Sequence, residues 1–540
     1  MPLSLDIERS DTRPFPPGTV QLEDLSGHRQ DGRVILQPVP SDDPNEPLNW
    51  SRSRKNVNFA LVCFYALIVY TIIDIGTVVY GQLHEELGFS WEELNQSFAV
   101  STAGLAIGAI MFIPFAFKFG RRPVYLLSIV IMVGTTIWQA RMRTIGDLFG
   151  FNIVSGLAGS ITETICAMTI ADLFFVHQRG SRTNILTIMI ITGTYLAPVA
   201  AGYSAASQGW RWIWWWSSIL AGVTLFLFAF CYEETVYTPM VRGDIPDDVD
   251  GIEQVRKSKI TDADTLHMEQ SNTLAEIPLK SYWQRMSLFT TASASGGSSA
   301  LFIHIYRPFI ILFTFPGVAF VALVYGSLLA WLAILLNVQA IYFTLPPYNF
   351  SSSGVGLLNI PTFIGSILGG FFGGQLSDYS IQWLARRNGG VYEPEMRLWL
   401  ALPAILITPA GYFMFGFSVS QAGYTNLPSL RDGMSWYIPA VGLGIFGFGS
   451  VALSNVVVVY LMDSYRDVIG DATIAVMLVR NGFGTLTAMC LSPWIARMGL
   501  YNTITLSGCL CIAVSLLTVP MIIWGRRCRE WTAARYLAMA

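Results

Sequence analysis

Apolar runs of about 20 residues recur along almost the whole chain, from Val57 to Trp524, and each is long enough to cross a bilayer core roughly 30 Å thick. Twelve can be counted, at 57–80, 94–117, 123–140, 147–175, 184–206, 212–232, 308–332, 353–375, 398–418, 434–462, 472–494 and 501–524. Such a chain cannot build a water-facing surface: only 13% of its 540 residues are charged and 53% are hydrophobic, about half the charge of an ordinary soluble protein. It reads as an all-α polytopic membrane protein of twelve spans in two six-helix bundles, and a soluble enzyme is excluded.

Residues 1–56 hold eight prolines, nine acids and seven bases without apolar periodicity, which predicts a disordered tail. No apolar segment precedes Val57, so the first span itself is expected to direct insertion. An N-terminal bundle at 57–232 and a C-terminal bundle at 308–525 follow, separated by a loop at 233–307 and closed by a tail at 526–540. The loop carries 11 acids and seven bases, and its segment IPLKSYWQRMSLF suits an interfacial helix. With the N-terminus in the cytoplasm, 27 of the 33 Lys and Arg fall on the cytoplasmic side, five (Arg141, Arg143, Arg211, Arg431, Arg497) on the other, and Arg480 inside a span. The bias places both termini in the cytoplasm, in a plasma-membrane protein. Trp210, Trp212, Trp214, Trp215 and Trp216 then mark the outer start of span 6 as interfacial anchors. A net charge of -3 without a basic block gives no nucleic-acid partner, and the seven cysteines show neither disulfide nor metal spacing.

After span 2 the chain reads PFAFKFGRRP (114–123), and after span 8 it reads GGQLSD (373–378) followed by Arg386 and Arg387. Matching signals in corresponding spans point to an internal duplication with binding between the two bundles. The placement resembles the major facilitator superfamily, whose loop between spans 2 and 3 carries G-x-L-A-D-R-x-G-R-R, and the resemblance covers nearly all of residues 44–525. The second copy keeps Gly374, Leu376 and Asp378; the first keeps Gly120, Arg121 and Arg122 but has Ile113 for the leading glycine and Phe117 for the acid. An Asp at such a turn can cap a helix and accept from Arg, holding the bundles in one state, and Asp378 retains that capacity. Span 5 contains GTYLAPVAAG (193–202), similar to the family's antiporter motif. Its Gly193, Ala197 and Ala201 share one face, Pro198 bends the helix, and Gly202 closes the motif; the resemblance implies an exporter. DDPNEPLNWSRSRK (42–55) and TETICAMTIADLFFVHQRG (162–180) are similar to fungal members associated with drug or secondary-metabolite export.

An ionisable group at the centre of a span costs about 2.5 to 3.5 kcal/mol unless it faces a cavity or a partner. Glu163 lies near the middle of span 4 on a face shared with Gly156, Gly159 and Ala167, which suits proton or cation coupling. Asp74 falls close enough to the outer end of the predicted span 1 either to snorkel or to join the site. Arg480 in span 11 either faces the cavity, where it could bind an anionic substrate, or pairs with Asp463 at the inner end of span 10. Asp172 and His177 sit at the inner end of span 4, and Asn337, Gln339, Asn359 and Asn455 offer amides in the second bundle.

GLGIFG (442–447) lies within an apolar helix and reads as helix packing, as do Gly365, Gly369 and Gly373. No Walker lysine, H-E-x-x-H or G-x-S-x-G is present, so no enzyme, metal or cofactor is expected. Of the sequons at Asn49, Asn95 and Asn349, only Asn349 falls in a plausible outer loop and is a candidate for glycosylation. These features point to a monomeric secondary transporter working by alternating access between spans 1, 4, 7 and 10. Proton-coupled efflux of a small organic molecule leads; an uptake symporter and a transport-dead receptor are the alternatives.

Overall fold

The computed structural model describes residues 16, 18–21, 43–236, 281–287, 298–388, 391–421, 436–465 and 468–539. The rest of the tail and central loop, including the acidic run at 243–251, lies outside the described residues. Helices form where the apolar runs fall and extend beyond them wherever a polar residue caps the end. Ser90 accepts from the Glu93 backbone N–H at 3.2 Å while the Glu93 carboxylate accepts from that of Ser90 at 2.8 Å, so span 2 begins at Trp91. Thr144 and Asp147 make the same reciprocal cap for span 4.

The spans are Arg52–Leu87, Trp91–Phe119, Arg121–Ala140, Ile145–Leu173, Ser181–Gln208, Trp210–Cys231, Pro316–Tyr342, Ser352–Arg387, Glu395–Ser420 and Tyr437–Ser464, followed by one long stretch, Ile469–Met539. That last stretch holds two spans. Gly499, at φ +77°, breaks it, giving span 11 at 469–498 and span 12 from residue 500, whose helix is interrupted by a turn at 516–517 before running on to Met539. The seventh span starts at Pro316, later than its sequence suggested, because a separate helix, Ser298–Thr314, ends before it and extended Phe315 separates the two. The tail just before span 1 is also packed: Pro47–Asn49 forms a 3₁₀ turn, Trp50 is buried against the first bundle, and Lys55 donates to the Leu48 carbonyl at 2.8 Å.

We call the side carrying the start of span 1 and the end of span 12 the terminus side, and the opposite one the far side. Each bundle has its own apolar core. One is built around Tyr65, Tyr125 and Phe228 and the other around Tyr412, Phe446 and Tyr460. Glycine rows let helices approach closely within bundles, as where Gly369 and Gly373 of span 8 lie against Phe448 and Ala452 of span 10. Gly442 and Gly447 also serve only as packing surfaces, against Phe415 and Thr362.

The bundles meet along two seams. In the far half, a Cβ on Gly202 of span 5 would lie 2.6 Å from the Ser352 carbonyl of span 8, and one on Gly356 would lie 2.8 Å from the Pro198 carbonyl. On the other seam, Asn95 of span 2 donates to Ser492 of span 11 at 2.9 Å, and Thr102 bonds Thr485 at 3.0 Å. Gly81, near the far end of span 1, faces Thr344 just beyond span 7. Among the described residues, spans 4 and 10 make no extensive contact.

Of the tryptophans opening span 6, only part behave as interfacial anchors. Trp212 and Trp216 are exposed, whereas Trp210 and Trp214 are buried in the far-half core of the first bundle, where the Trp210 indole donates to Glu86 at 2.8 Å. Residues 210 and 214, one helical turn apart, share the inward face of span 6.

Candidate coupling site between the bundles

Span 4 is narrow where it meets its neighbours. Gly156 lies against Ser101 and Gly104 of span 2, and Gly159 against Val69 and Ile73 of span 1. One turn further, the same face presents Glu163 to the second bundle. There Gly326 of span 7 lies against Phe483 and the Arg480 backbone, and this close approach brings span 11 within reach of Glu163.

Glu163 and Arg480 form an ion pair across the bundle interface. The Glu163 side chain is 1% exposed and that of Arg480 11%. The partners complete one another: Arg480 donates to Glu163 Oε1 and, at 2.9 Å, to the Tyr325 hydroxyl of span 7, whose ring also lies under the guanidinium. Tyr70 of span 1 donates to Glu163 Oε1 at 3.1 Å, and Asn481 donates to Oε2 at 2.8 Å. Buried charge is tolerated only when paired and hydrogen-bonded, and this carboxylate has three donors.

The pair corrects one expectation. Asp463 is not the partner of Arg480; it accepts from Arg397 at 2.6 Å and from Tyr392, on the terminus side of the second bundle. Burial and the Asp463 charge push the Tyr392 phenol above its ordinary value. Nearby, Arg529 and Glu395 form a buried two-bond pair at 2.9 and 2.6 Å.

Asp74 is half-buried in mid-span, since helical structure continues another 13 residues to Leu87 and leaves it no short reach to water. It sits where span 1 passes from α-helix to a 3₁₀ turn, facing Thr194 in a π-helical segment of span 5, Thr192–Leu196, within electrostatic reach of Arg480. Asn359 and Asn455 are not brought to this cluster. Asn359 bonds its own helix at the Gly356 carbonyl at 3.1 Å, and Asn455 lies against Gly373 between spans 8 and 10. Asn337 and Gln339 likewise donate to carbonyls of the second bundle.

At the turn after span 2, Gly120 takes φ +99° and lies against the Glu234 carboxylate. Glu234 accepts from the backbone N–H groups of Arg121 at 2.9 Å and Arg122 at 3.0 Å, capping span 3. Arg121 reaches Asp172 at 3.3 Å and stacks over Phe117, and Arg122 donates to the Ala229 carbonyl at 2.7 Å. The acid absent at Phe117 thus has a substitute from the start of the central loop, which sequence reading missed because Glu234 is one acid among many there. Glu234→Ala should lower stability by about 1 to 2 kcal/mol, read as an earlier denaturation midpoint in detergent, with Glu234→Gln intermediate.

Gly374 faces Asn184 of span 5 across the seam, within the second π-helical segment, Phe372–Leu376. The side chains of Asp378 and His177 lie outside the described residues. In span 5, Gly193 packs on the Leu67 carbonyl of span 1, while Pro198 and Gly202 meet span 8. Asn349, at φ +48°, is exposed between spans 7 and 8, whereas Asn95 is buried and Asn49 donates to the Asp43 carbonyl. Among the described residues no cluster of three or more metal-ligating side chains occurs.

Two small cavities of about 10 and 20 Å³ lie inside the first bundle. Neither is the central chamber expected between spans 1, 4, 7 and 10; at that depth stand the Glu163–Arg480 pair and its two tyrosines.

The profile of the Major Facilitator Superfamily matches residues 59–489. An uncharacterized MFS-type transporter of Schizosaccharomyces pombe is 33% identical over 94% of this chain and 90% of its own length. Protein HOL1 of Saccharomyces cerevisiae is 27% identical over 93% and 92%. Among solved structures, a POT family transporter superposes with TM-score 0.61 at 13% identity, covering 90% of this chain and 99% of its own. The proton:xylose symporter XylE gives 0.55 at 14%, covering 88% and 97%. With its twelve spans in two bundles, the chain belongs to the Major Facilitator Superfamily of membrane transporters, not to an enzyme family.

Proposed function

We propose that the protein exports a small organic molecule from the cytoplasm across the plasma membrane, driven by protons moving inward, and that Glu163 carries the coupling. The Glu163–Arg480 ion pair carries this reading, because it joins the two bundles at mid-depth. A substrate passing between the bundles has to part that pair, and a proton on Glu163 weakens its hold on Arg480. Proton and substrate therefore act on one lock. Close packing at Gly202, Gly356 and Gly81 holds the far side shut, which supports a state with access from the terminus side, here assigned to the cytoplasm. The antiporter-like segment of span 5 supplies two of these far-side contacts through Pro198 and Gly202, in keeping with export. The protein works as a monomer, since each half of the lock comes from the same chain, and Asn349 is the position open to glycosylation.

Direction is tested by untargeted metabolite comparison of cells and medium with and without the protein. Export predicts substrate retained in cells that lack it. Depletion from those cells would establish uptake, and transport that ignores an imposed pH gradient in vesicles would remove the proton.

A further inference from the structure

In the far half of the first bundle lies a cavity of about 20 Å³, lined among others by Thr77, Tyr80, Ser97, Gln139, Asn152 and Trp214. It has room for one water molecule, which needs roughly 10 to 15 Å³ and two to four polar partners. Trp214 is only 2% exposed, and its indole N–H has no hydrogen-bond partner within the protein. A buried unmet donor is costly, and one lining a cavity of this size that also has hydroxyl and amide side chains in its wall is best satisfied by water.

Asp74 lies one turn before Thr77, which lines the cavity. Between Ile75 and Val79 span 1 is a 3₁₀ helix, with three residues per turn, so side chains three apart eclipse one another. Asp74, Thr77 and Tyr80 fall on one line, and Thr77 and Tyr80 both face the cavity. The Thr77 hydroxyl donates to the Asp74 carbonyl at 3.1 Å, and Tyr80 lies within electrostatic reach of the Asp74 carboxylate. The other groups facing Asp74 are Thr194 and Tyr195 of span 5 and Arg480 of span 11.

We propose that this cavity holds an ordered water bound by the Trp214 N–H, and that the water and the Tyr80 hydroxyl relay protons between the far side and Asp74. In the relay each oxygen passes one proton on and accepts another, so only O–H bonds change and no co-reactant is consumed. The relay rests on the proton coupling proposed above; the water site does not.

The full chain in phosphatidylcholine nanodiscs is exposed to millisecond X-ray pulses, which create hydroxyl radicals from bound water. Trp331 is the comparator, being buried with an unmet indole N–H but lining neither cavity. Trp214 and Tyr80 should be modified about tenfold faster than Trp331 if water is bound beside them; equal protection of all three overturns the water site. The relay is read by infrared spectroscopy after a pH step, with the Asp74 carboxyl band identified by its loss in Asp74→Asn. Trp214→Phe should slow protonation of that band at least about threefold. An unchanged rate, or no Asp74 band responding in the wild type, overturns the relay. The second outcome also removes Asp74 as a proton carrier without touching the coupling assigned to Glu163, while the footprint still decides the water site.

Discussion

Glu163→Gln abolishes pH-driven transport while leaving a folded, monodisperse protein in the membrane. The amide keeps an acceptor for Arg480, and Asn481 can turn its own amide to match. The variant loses stability because Arg480 is left without its counter-charge, but less than Arg480→Gln, since Arg480 is the more exposed partner and keeps the Tyr325 hydroxyl. What is lost is the carboxylate, the group that can exchange a proton for its direct hold on Arg480. Vesicles loaded with the identified substrate should show accumulation at background level under a pH gradient, a loss of about 10²-fold or more, as expected when a proton-carrying group is removed. Transport at the wild-type rate would take Glu163 out of the mechanism.

The second large effect is on stability. Arg480→Gln leaves a carboxylate buried without its counter-charge, and breaking a buried pair from one side costs about 3 to 5 kcal/mol. Replacing both charges, in Glu163→Gln with Arg480→Gln, should recover most of that loss, because two neutral amides bond each other and Tyr325 without buried charge. Denaturation midpoints of the wild type, both single variants and the double variant close the cycle. If the loss in the double variant equals the sum of the two single losses, the two residues are not energetically coupled.

The spans were legible in the sequence because a bilayer imposes a minimum apolar length, and a run such as Arg121–Ala140 satisfies it without help from the rest of the chain. Glu163 and Arg480 were legible as charges out of place in apolar helices. Their pairing was not, since they stand 317 residues apart and one sequence holds no signal that spans 4 and 11 meet. Asp463 lies nearer in the chain, which is why it drew attention as a partner; the turn carrying Tyr392 and Arg397 claims it instead. Tyr70 and Tyr325 read like any aromatics in lipid until their hydroxyls are placed on the ion pair. Asp74 was misjudged for a different reason. Hydropathy ended span 1 where Gln82, His84, Glu85 and Glu86 begin, but the helix runs on to Leu87 and moves Asp74 away from the surface.

The most direct test of the lock is the distance between bundles, measured by double electron–electron resonance. Spin labels at Lys118 of span 2 and Tyr379 of span 8, both exposed on the terminus side, report it in a background with the exposed Cys231, Cys490 and Cys509 replaced by serine. If the Glu163 carboxylate holds Arg480, and with it the two bundles, the distance distribution of Glu163→Gln shifts away from that of the wild type measured at the same pH. A Glu163→Gln variant with the wild-type distribution would contradict it.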